Sequence, residues 1–295
     1  MGSAMPELPE VETLRRSLET HLVGRVVVDA ELRRRDILTL PGDPPGGWTR
    51  GRTRAREDPV DRAHLLVGAR VWGVARRGKQ LAIRGDSGVC LCVHLGMTGT
   101  LRIGDFSPDD RHVHACWRLD NTSVMYFRDP RRFGGLWTYP SPEALAERWH
   151  ALGPDALAVG CDDLYARLKG SARAIKAALL DQGVIAGVGN IYADESLHAA
   201  GIHPRRMAGK LTHAECGRLA DAIRSVLGHA ITRGGSTFRD YVDAQGNPGT
   251  AQAYHMVYGR AGQACFGCRR PLQHAVIGQR QTVWCPACQP ETPPH

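Results

Sequence analysis

LWTYPSPEALAERWH, residues 136–150, is where the character of the chain changes. Leu136 to Tyr139 reads as a short strand, Pro140-Ser-Pro142 punctuates it, and Pro142 to His150 opens a helix, with proline tolerated in the first turn. Working back from this point, β-rich runs occur at Val26 to Leu32, Ala69 to Ala75, Gln80 to Arg84, Val89 to Leu95, Thr100 to Ile103, Val113 to Leu119 and Val124 to Phe127. Gly, Asp and Asn turns between them predict an antiparallel sandwich or barrel. Working forward, helices are expected at Asp162 to Leu168, Ala172 to Gln182, Asn190 to Ala200 and Thr212 to Arg233. Strands first and helices afterwards argue for an α+β chain rather than an alternating parallel sheet. Ahead of the strands, ELPEVETLRRSLETHLVG (residues 7–24) carries Val11, Leu14, Leu18 and Leu22 near helical period, with Gly24 as a stop. Pro41 to Asp61 is rich in Pro, Gly, Arg and Asp and reads as an exposed loop, and the tail QPETPPH is expected to fray.

The chain has 295 residues, with 38 Lys or Arg against 30 Asp or Glu, a formal charge of +8 and a pI near 9.2. Only four of the basic residues are lysines: Lys79, Lys169, Lys176 and Lys210. A hydrophobic content of 42% excludes general disorder. No apolar run approaches the roughly 18 residues of a membrane span, and none near the N-terminus resembles the centre of a signal peptide. A soluble, cytoplasmic protein is expected. The charge permits nucleic-acid binding without requiring it, and arginine's planar fork suits phosphates and base edges.

Nine cysteines divide into two groups. Cys90, Cys92, Cys116, Cys161 and Cys216 are scattered and read as reduced, buried small hydrophobes. Cys265, Cys268, Cys285 and Cys288 form two C-x-x-C pairs separated by 16 residues. That spacing fits a zinc ribbon, in which two knuckles each supply two thiolates to a tetrahedral Zn2+. A redox pair is the alternative, but such a motif normally occurs once, at a helix start.

Two further constellations bear on function. In LLDQGVIAGVGNIYADESLHAAG, Gly183, Gly187 and Gly189 lie between apolar helix faces, and Asn190 stands where an N-cap belongs. A helix start with free N–H groups and a positive dipole end is a phosphate seat. Taken alone this reads more readily as an ordinary glycine-bearing helical hairpin; beside a ribbon and a basic chain the DNA contact overtakes it. The other constellation pairs His94-Leu-Gly-Met-Thr-Gly with Asp129-Pro-Arg-Arg-Phe-Gly. Met97, Arg131 and Phe133 supply an apolar tip, a guanidinium and an aromatic, the groups that unstack a base and fill the gap. By residue type alone, a loop Met or Phe more often packs onto a neighbouring core.

Met5-Pro-Glu-Leu-Pro-Glu-Val-Glu-Thr, HLGMTG, DPRRFGG, GVGNIYADES, VYGRAGQAC and GQRQTVWCPAC, in that order from Met5 to about Gln289, closely resemble the bacterial formamidopyrimidine-DNA glycosylases. The resemblance implies a β-sandwich catalytic domain over residues 5–140, a helix-two-turns-helix domain over 141–258 and a zinc ribbon over 259–290, with one structural Zn2+. It further implies a monomeric base-excision-repair enzyme, glycosylase and AP lyase at once, acting on 8-oxoguanine and formamidopyrimidines in duplex DNA. A relative acting on oxidised pyrimidines is the rival within the class.

By the same resemblance the nucleophile is the secondary amine of Pro6, which forms an iminium with the sugar C1′ of the flipped nucleotide. A free N-terminal amine, with a pKa near 7.7–8.0, is about a tenth neutral at pH 7, whereas a lysine near 10.4 is neutral at well below a thousandth. Glu7 is then the acid and Glu10 holds charges and hydrogen bonds; two carboxylates can divide such roles if their environments differ. Lys79 touches the lesion's phosphate, and Arg280, Asn190 and His112 grip the backbone. Arg131 fills the vacated space, with Met97 and Phe133 as wedges. Leu168-Lys-Gly-Ser-Ala-Arg-Ala-Ile-Lys176 departs from the family's basic cluster, so the DNA contact falls to one of Lys169, Arg173 and Lys176. In the chain as written, Met1 to Met5 precede Pro6, whose nitrogen is then an amide without a basic lone pair. The expectation is an active chain that begins at Pro6, with Met1 to Ala4 a mis-assigned start or a scar. The alternative is a zinc-ribbon protein that binds damaged DNA without chemistry.

Overall fold

The computed structural model describes residues 5–42, 60–238 and 240–291. Residues 43–59 of the expected loop, and the last four residues of the tail, lie outside them. The chain divides into two compact units. The first takes Met1–Pro6, Glu10–His150 and Gly234–Gly249; the second takes Glu7–Pro9, Ala151–Arg233 and Thr250–His295.

The first unit is a β-sandwich with a helix in its core. One sheet has the order β1 (Val27–Leu32), β7 (Val113–Leu119), β8 (Val124–Arg128), β6 (Thr100–Ile103). The other runs β2 (Leu38–Thr39), β9 (Gly135–Tyr139), β5 (Cys90–His94), β4 (Gln80–Gly85), β3 (Val71–Arg77). Every named pairing is antiparallel except β2 with β9, a two-residue strand too short to carry an alternating pattern and absent from the sequence reading. Helix α1 (Leu8–Leu22) buries Val11, Leu14, Leu18 and Leu22 among inward residues of both sheets, including Trp117, Phe127, Ile83 and Leu136. Each such side chain contributes about 1.5–3 kcal/mol on burial. Helix α2 (Pro142–His150) packs Leu145 beside Cys90, Cys92 and Trp137.

A charged cluster fixes α1 to strand β3. Glu12, buried, accepts from Arg15 Nε (3.1 Å), Arg16 Nε (2.8 Å) and Arg76 Nε (3.0 Å). Burial alone raises its pKa, but the three guanidiniums outweigh that and bring it down to about 2 from an ordinary 4.5. A carboxylate so depressed stabilises the fold above pH 4.5, and the contribution fades as pH falls toward 2. Glu12→Gln is therefore expected to cost about 3 kcal/mol at pH 7 and little near pH 2, read by urea denaturation across that range.

The second unit holds α3 (Cys161–Leu168), α4 (Ile175–Leu179), α5 (Asn190–Ala200), α6 (His213–Thr232) and the hairpin β10 (Gln273–Ile277) with β11 (Arg280–Trp284). Helix α4 is much shorter than the expected Ala172 to Gln182. Its N-terminal approach is diverted into backbone pairing: Ala208 donates to Arg173 O, Gly209 to Ser171 O and Ile175 to Arg206 O. At the other end Gly183 donates to Asp181 Oδ1, turning the chain out of the helix. Helix α6 starts at a capping box, with Glu215 N on Thr212 Oγ1 and Thr212 N on Glu215 Oε2. Among the described residues no helix is long and apolar enough to cross a membrane.

Candidate active site

Within the second unit, the N-terminus of α5 is taken by a carboxylate of the chain itself. Glu7, buried, accepts from Gly189 N (2.8 Å), Ile191 N (2.8 Å) and Tyr192 N (3.3 Å), and Leu8 N donates to Gly187 O (3.1 Å). This corrects the expectation of a helix start left open for phosphate with Asn190 as its cap. The donors and the dipole are there, but Glu7 satisfies them, and the residue at the cap position is Gly189. Two of the glycines make room for this segment. A Cβ on Gly189 would lie 2.3 Å from Glu7 Cδ, and one on Gly187 (φ 116°) would lie 2.4 Å from Leu8 Cδ1. Gly189→Ala is expected to expel the carboxylate and destabilise the protein by about 2 kcal/mol or more, checked by urea denaturation.

Asn190 itself turns toward the ribbon: its Nδ2 donates to Gln281 O (3.1 Å). Lys176 does the same from α4, donating to Gln281 O (2.9 Å) and pairing with Asp194 Oδ1 (2.7 Å), with both charged side chains fully buried. Asp194 Oδ2 accepts from Val283 N (3.0 Å). These bonds set the hairpin whose turn, Gly278-Gln279, has both residues in the left-handed region (φ 57° and 61°) and presents exposed Arg280. Lys169 and Arg173 are exposed, and Arg173 pairs with Asp181 (2.9 Å). A residue the sequence reading missed, Glu195, anchors the segment leading into the ribbon by accepting from Met256, Val257 and Tyr258 N–H (2.7–2.9 Å). Its signal, a second carboxylate beside Asp194 on a short helix, does not distinguish it from a solvated one.

The four ribbon cysteines come together. Cys265 and Cys288 sulfurs are 3.9 Å apart, Cys268 and Cys285 sulfurs 3.4 Å, and all four lie within 4.8 Å of one another, with no disulfide. A tetrahedral ion with metal–sulfur bonds of about 2.3 Å places its sulfurs about 3.8 Å apart, so the cluster can hold a metal ion.

In the first unit, Pro6 is buried at the start of the described chain. Glu10, buried, accepts from Ser236 N at Oε1 (2.7 Å), while its carbonyl accepts from the Tyr241 hydroxyl (2.9 Å). Lys79 is half-buried in the two-residue turn Gly78-Lys79 joining β3 to β4. Its charge reaches His94: burial first, and Lys79 second, pull the His94 pKa down to about 4 against the opposite effect of Asp129. The imidazole is therefore neutral at pH 7, and Nδ1 accepts from Gly96 N (3.2 Å).

Two loops are stapled together by Asp129, which is fully buried and was not singled out from sequence. Its Oδ1 accepts from Thr98 Oγ1 (2.6 Å) and its Oδ2 from Gly134 N (2.7 Å), while Arg131 N donates to Thr98 Oγ1 (3.2 Å). Met97 is half-buried, whereas Arg131 and Phe133 are exposed, with the guanidinium 4.9 Å from the ring centroid. His112 is half-buried in the turn before β7. An exposed aromatic stacked by an arginine is the opposite of a side chain packed onto the core.

Residues 5–136 match the formamidopyrimidine-DNA glycosylase N-terminal domain, and residues 151–242 match the H2TH domain of the same enzymes. The chain is 46% identical over 291 residues to the formamidopyrimidine-DNA glycosylase of Xanthomonas campestris pv. campestris, covering 97% of this chain and 100% of that protein. It is 45% identical over 289 residues to that of Stenotrophomonas maltophilia, with the same coverage. Among solved structures it is similar to the MutM (Fpg) protein of Thermus thermophilus, with a TM-score of 0.80, 38% identity, and coverage of 98% of this chain and 100% of that one. It is also similar to a Lactococcus lactis FPG mutant in complex with a Fapy-dG containing DNA, with a TM-score of 0.82, 31% identity, and coverage of 97% and 100%. Both domain patterns match in order and nearly the whole length aligns, so the chain belongs to the formamidopyrimidine-DNA glycosylase family.

Proposed function

We infer that this protein is a DNA glycosylase and AP lyase of base excision repair, acting on oxidised purines in duplex DNA. The observation that carries this reading is the seating of Glu7: three backbone N–H groups fix the residue next to Pro6, so the proposed nucleophile and acid share one rigidly held peptide. The relatives support it, since a Lactococcus lactis neighbour is bound to Fapy-dG containing DNA and another to DNA containing an abasic site.

In this mechanism the nitrogen of Pro6, freed as the N-terminus, bonds to C1′ as the bond from C1′ to the base breaks and protonated Glu7 gives the departing base its proton; the amine proton then passes through Glu7 to O4′ as the C1′–O4′ bond opens. A secondary amine gives an iminium that is cationic without further protonation. Loss of a C2′ proton then expels the 3′ phosphate, and a second elimination expels the 5′ phosphate. Lys79 and Arg280 stabilise these phosphates, and His112, Asn190 and the exposed Arg173 or Lys169 hold the backbone. Arg131, Met97 and Phe133 occupy the space the base leaves. Cys265, Cys268, Cys285 and Cys288 would hold one Zn2+, which supplies folding free energy to a ribbon with a small apolar core of Val257, Leu272 and Val283. The protein is expected to work as a monomer in the cytoplasm, on the nucleoid.

The test is excision. A chain beginning at Pro6 should release the base and nick duplex DNA carrying 8-oxoguanine, act more slowly on thymine glycol and leave undamaged duplex intact. Tight lesion binding with no released base and no nick would identify a binding protein instead.

A further inference from the structure

Cys161 does not fit the role of a buried small hydrophobe expected from sequence: it is half-exposed on the first turn of α3 and sits in a group of potential metal ligands outside the ribbon. Its sulfur lies 3.5 Å from Nδ1 and 3.4 Å from Nε2 of His213, the first residue of α6, and donates to His213 O (3.2 Å). His213 Nε2 is 2.8 Å from Asp162 Oδ1. The three donor atoms lie within 4.8 Å of one another and come from two packed helices. The Thr212 to Glu215 capping box fixes the turn that presents His213, and the Tyr165 ring meets the imidazole edge-on at 5.4 Å.

We propose that Cys161, Asp162 and His213 form a second metal site, for a divalent cation of the zinc class, which clamps the first turn of α3 to the first turn of α6. A thiolate, an imidazole and a carboxylate are the ligand types that zinc takes at about 2.3, 2.0–2.1 and 2.0–2.2 Å, and a tetrahedron of such bonds needs a sulfur–nitrogen separation of about 3.5 Å and a nitrogen–oxygen one of about 3.4 Å. The first is already met. The second requires the present hydrogen-bonded pair to open by roughly half an ångström as the ion replaces the shared proton. The sulfur is nearly equidistant from both ring nitrogens, so it lies off the Nε2 lone-pair direction, and the imidazole has to rotate about χ2, a broad torsion, to aim that lone pair at the ion. The thiol proton leaves to solvent, and His213 O gives up its S–H donor. Asp162 and His213 are 95% and 59% exposed, so water reaches the fourth position.

Full-length protein dialysed against Zn2+ and assayed for bound metal should hold one more ion per chain than Cys161→Ser or His213→Ala treated identically. Equal stoichiometry in the three proteins overturns the proposal. A second measurement uses only the wild-type fold: alkylation of Cys161 by iodoacetamide, followed by peptide mass, should slow about tenfold with Zn2+ at about ten times its Kd. Alkylation at a rate indifferent to Zn2+ identifies a reactive surface thiol instead and removes the site.

Discussion

A chain whose first residue is Pro6 is expected to give a covalent complex with 8-oxoguanine duplex under borohydride, and the same chain with Met1 to Met5 retained is expected to give none. In the extended form the Pro6 nitrogen is a tertiary amide, its lone pair is delocalised into the carbonyl, and no iminium can form. The loss should exceed about a thousandfold in strand cleavage, equivalent to more than about 4 kcal/mol of barrier, while lesion binding changes far less. The free amine also predicts a pH dependence. The single-turnover rate should rise through about pH 8 as the ammonium loses its proton, and level off above it. Cleavage by the extended chain at a comparable rate would assign the covalent step to another amine, with Lys79 the first to test.

Replacing Lys176 should produce the largest loss of stability. Its ammonium and the Asp194 carboxylate are both fully buried, 2.7 Å apart. Burial pushes Asp194 up to about 7 against the opposing pull of Lys176 and the Val283 N–H, and burial likewise lowers Lys176 against the pull of Asp194. Lys176→Met leaves a buried carboxylate without its counter-charge and should cost about 3–5 kcal/mol in urea denaturation at neutral pH. Because the Asp194 pKa is raised in the folded state, the penalty grows as pH rises through neutrality and shrinks toward pH 5, where the carboxyl is protonated. Lys176→Met with Asp194→Asn should recover part of the loss. DNA binding separates this positioning role from a phosphate contact. Measured on protein that remains folded, Lys176→Met should leave the slope of log K against log salt unchanged, because Lys176 itself touches no phosphate, whereas a lost phosphate contact lowers it by about 0.9.

What could be read from the sequence follows the range of the interactions involved. Strands with an alternating pattern and helices with an apolar stripe were located to within a residue or two, because both signals are local; Pro142–His150 and Asn190–Ala200 match throughout. The ribbon was legible for the same reason, since ligand spacing within each knuckle is written in four consecutive residues. Helix α4 was overextended because the pairing that shortens it comes from residues 206–209. Strand β2 was missed because two residues carry no period. The start of α5 is the most instructive case. Its physics, exposed N–H groups seeking an anion, was correctly read, but the anion is Glu7, 182 residues away, and a single sequence does not reveal such partners. Asp129 and Glu195 were overlooked on the same ground: each satisfies backbone donors on a segment whose path is known only once the chain is folded.

The exchange of segments between the two units bears on how this protein can be taken apart. Ser236, Tyr241 and Ala244 complete the first unit by bonding Glu10 and β6, while Glu7 and Leu8 complete the second by closing the start of α5. A cut near residue 150 therefore yields no self-sufficient half. The front piece lacks the return segment that covers Glu10, and the rear piece lacks the tripeptide that caps its central helix. Expressed alone, each half should therefore lack a segment that its own core or central helix needs.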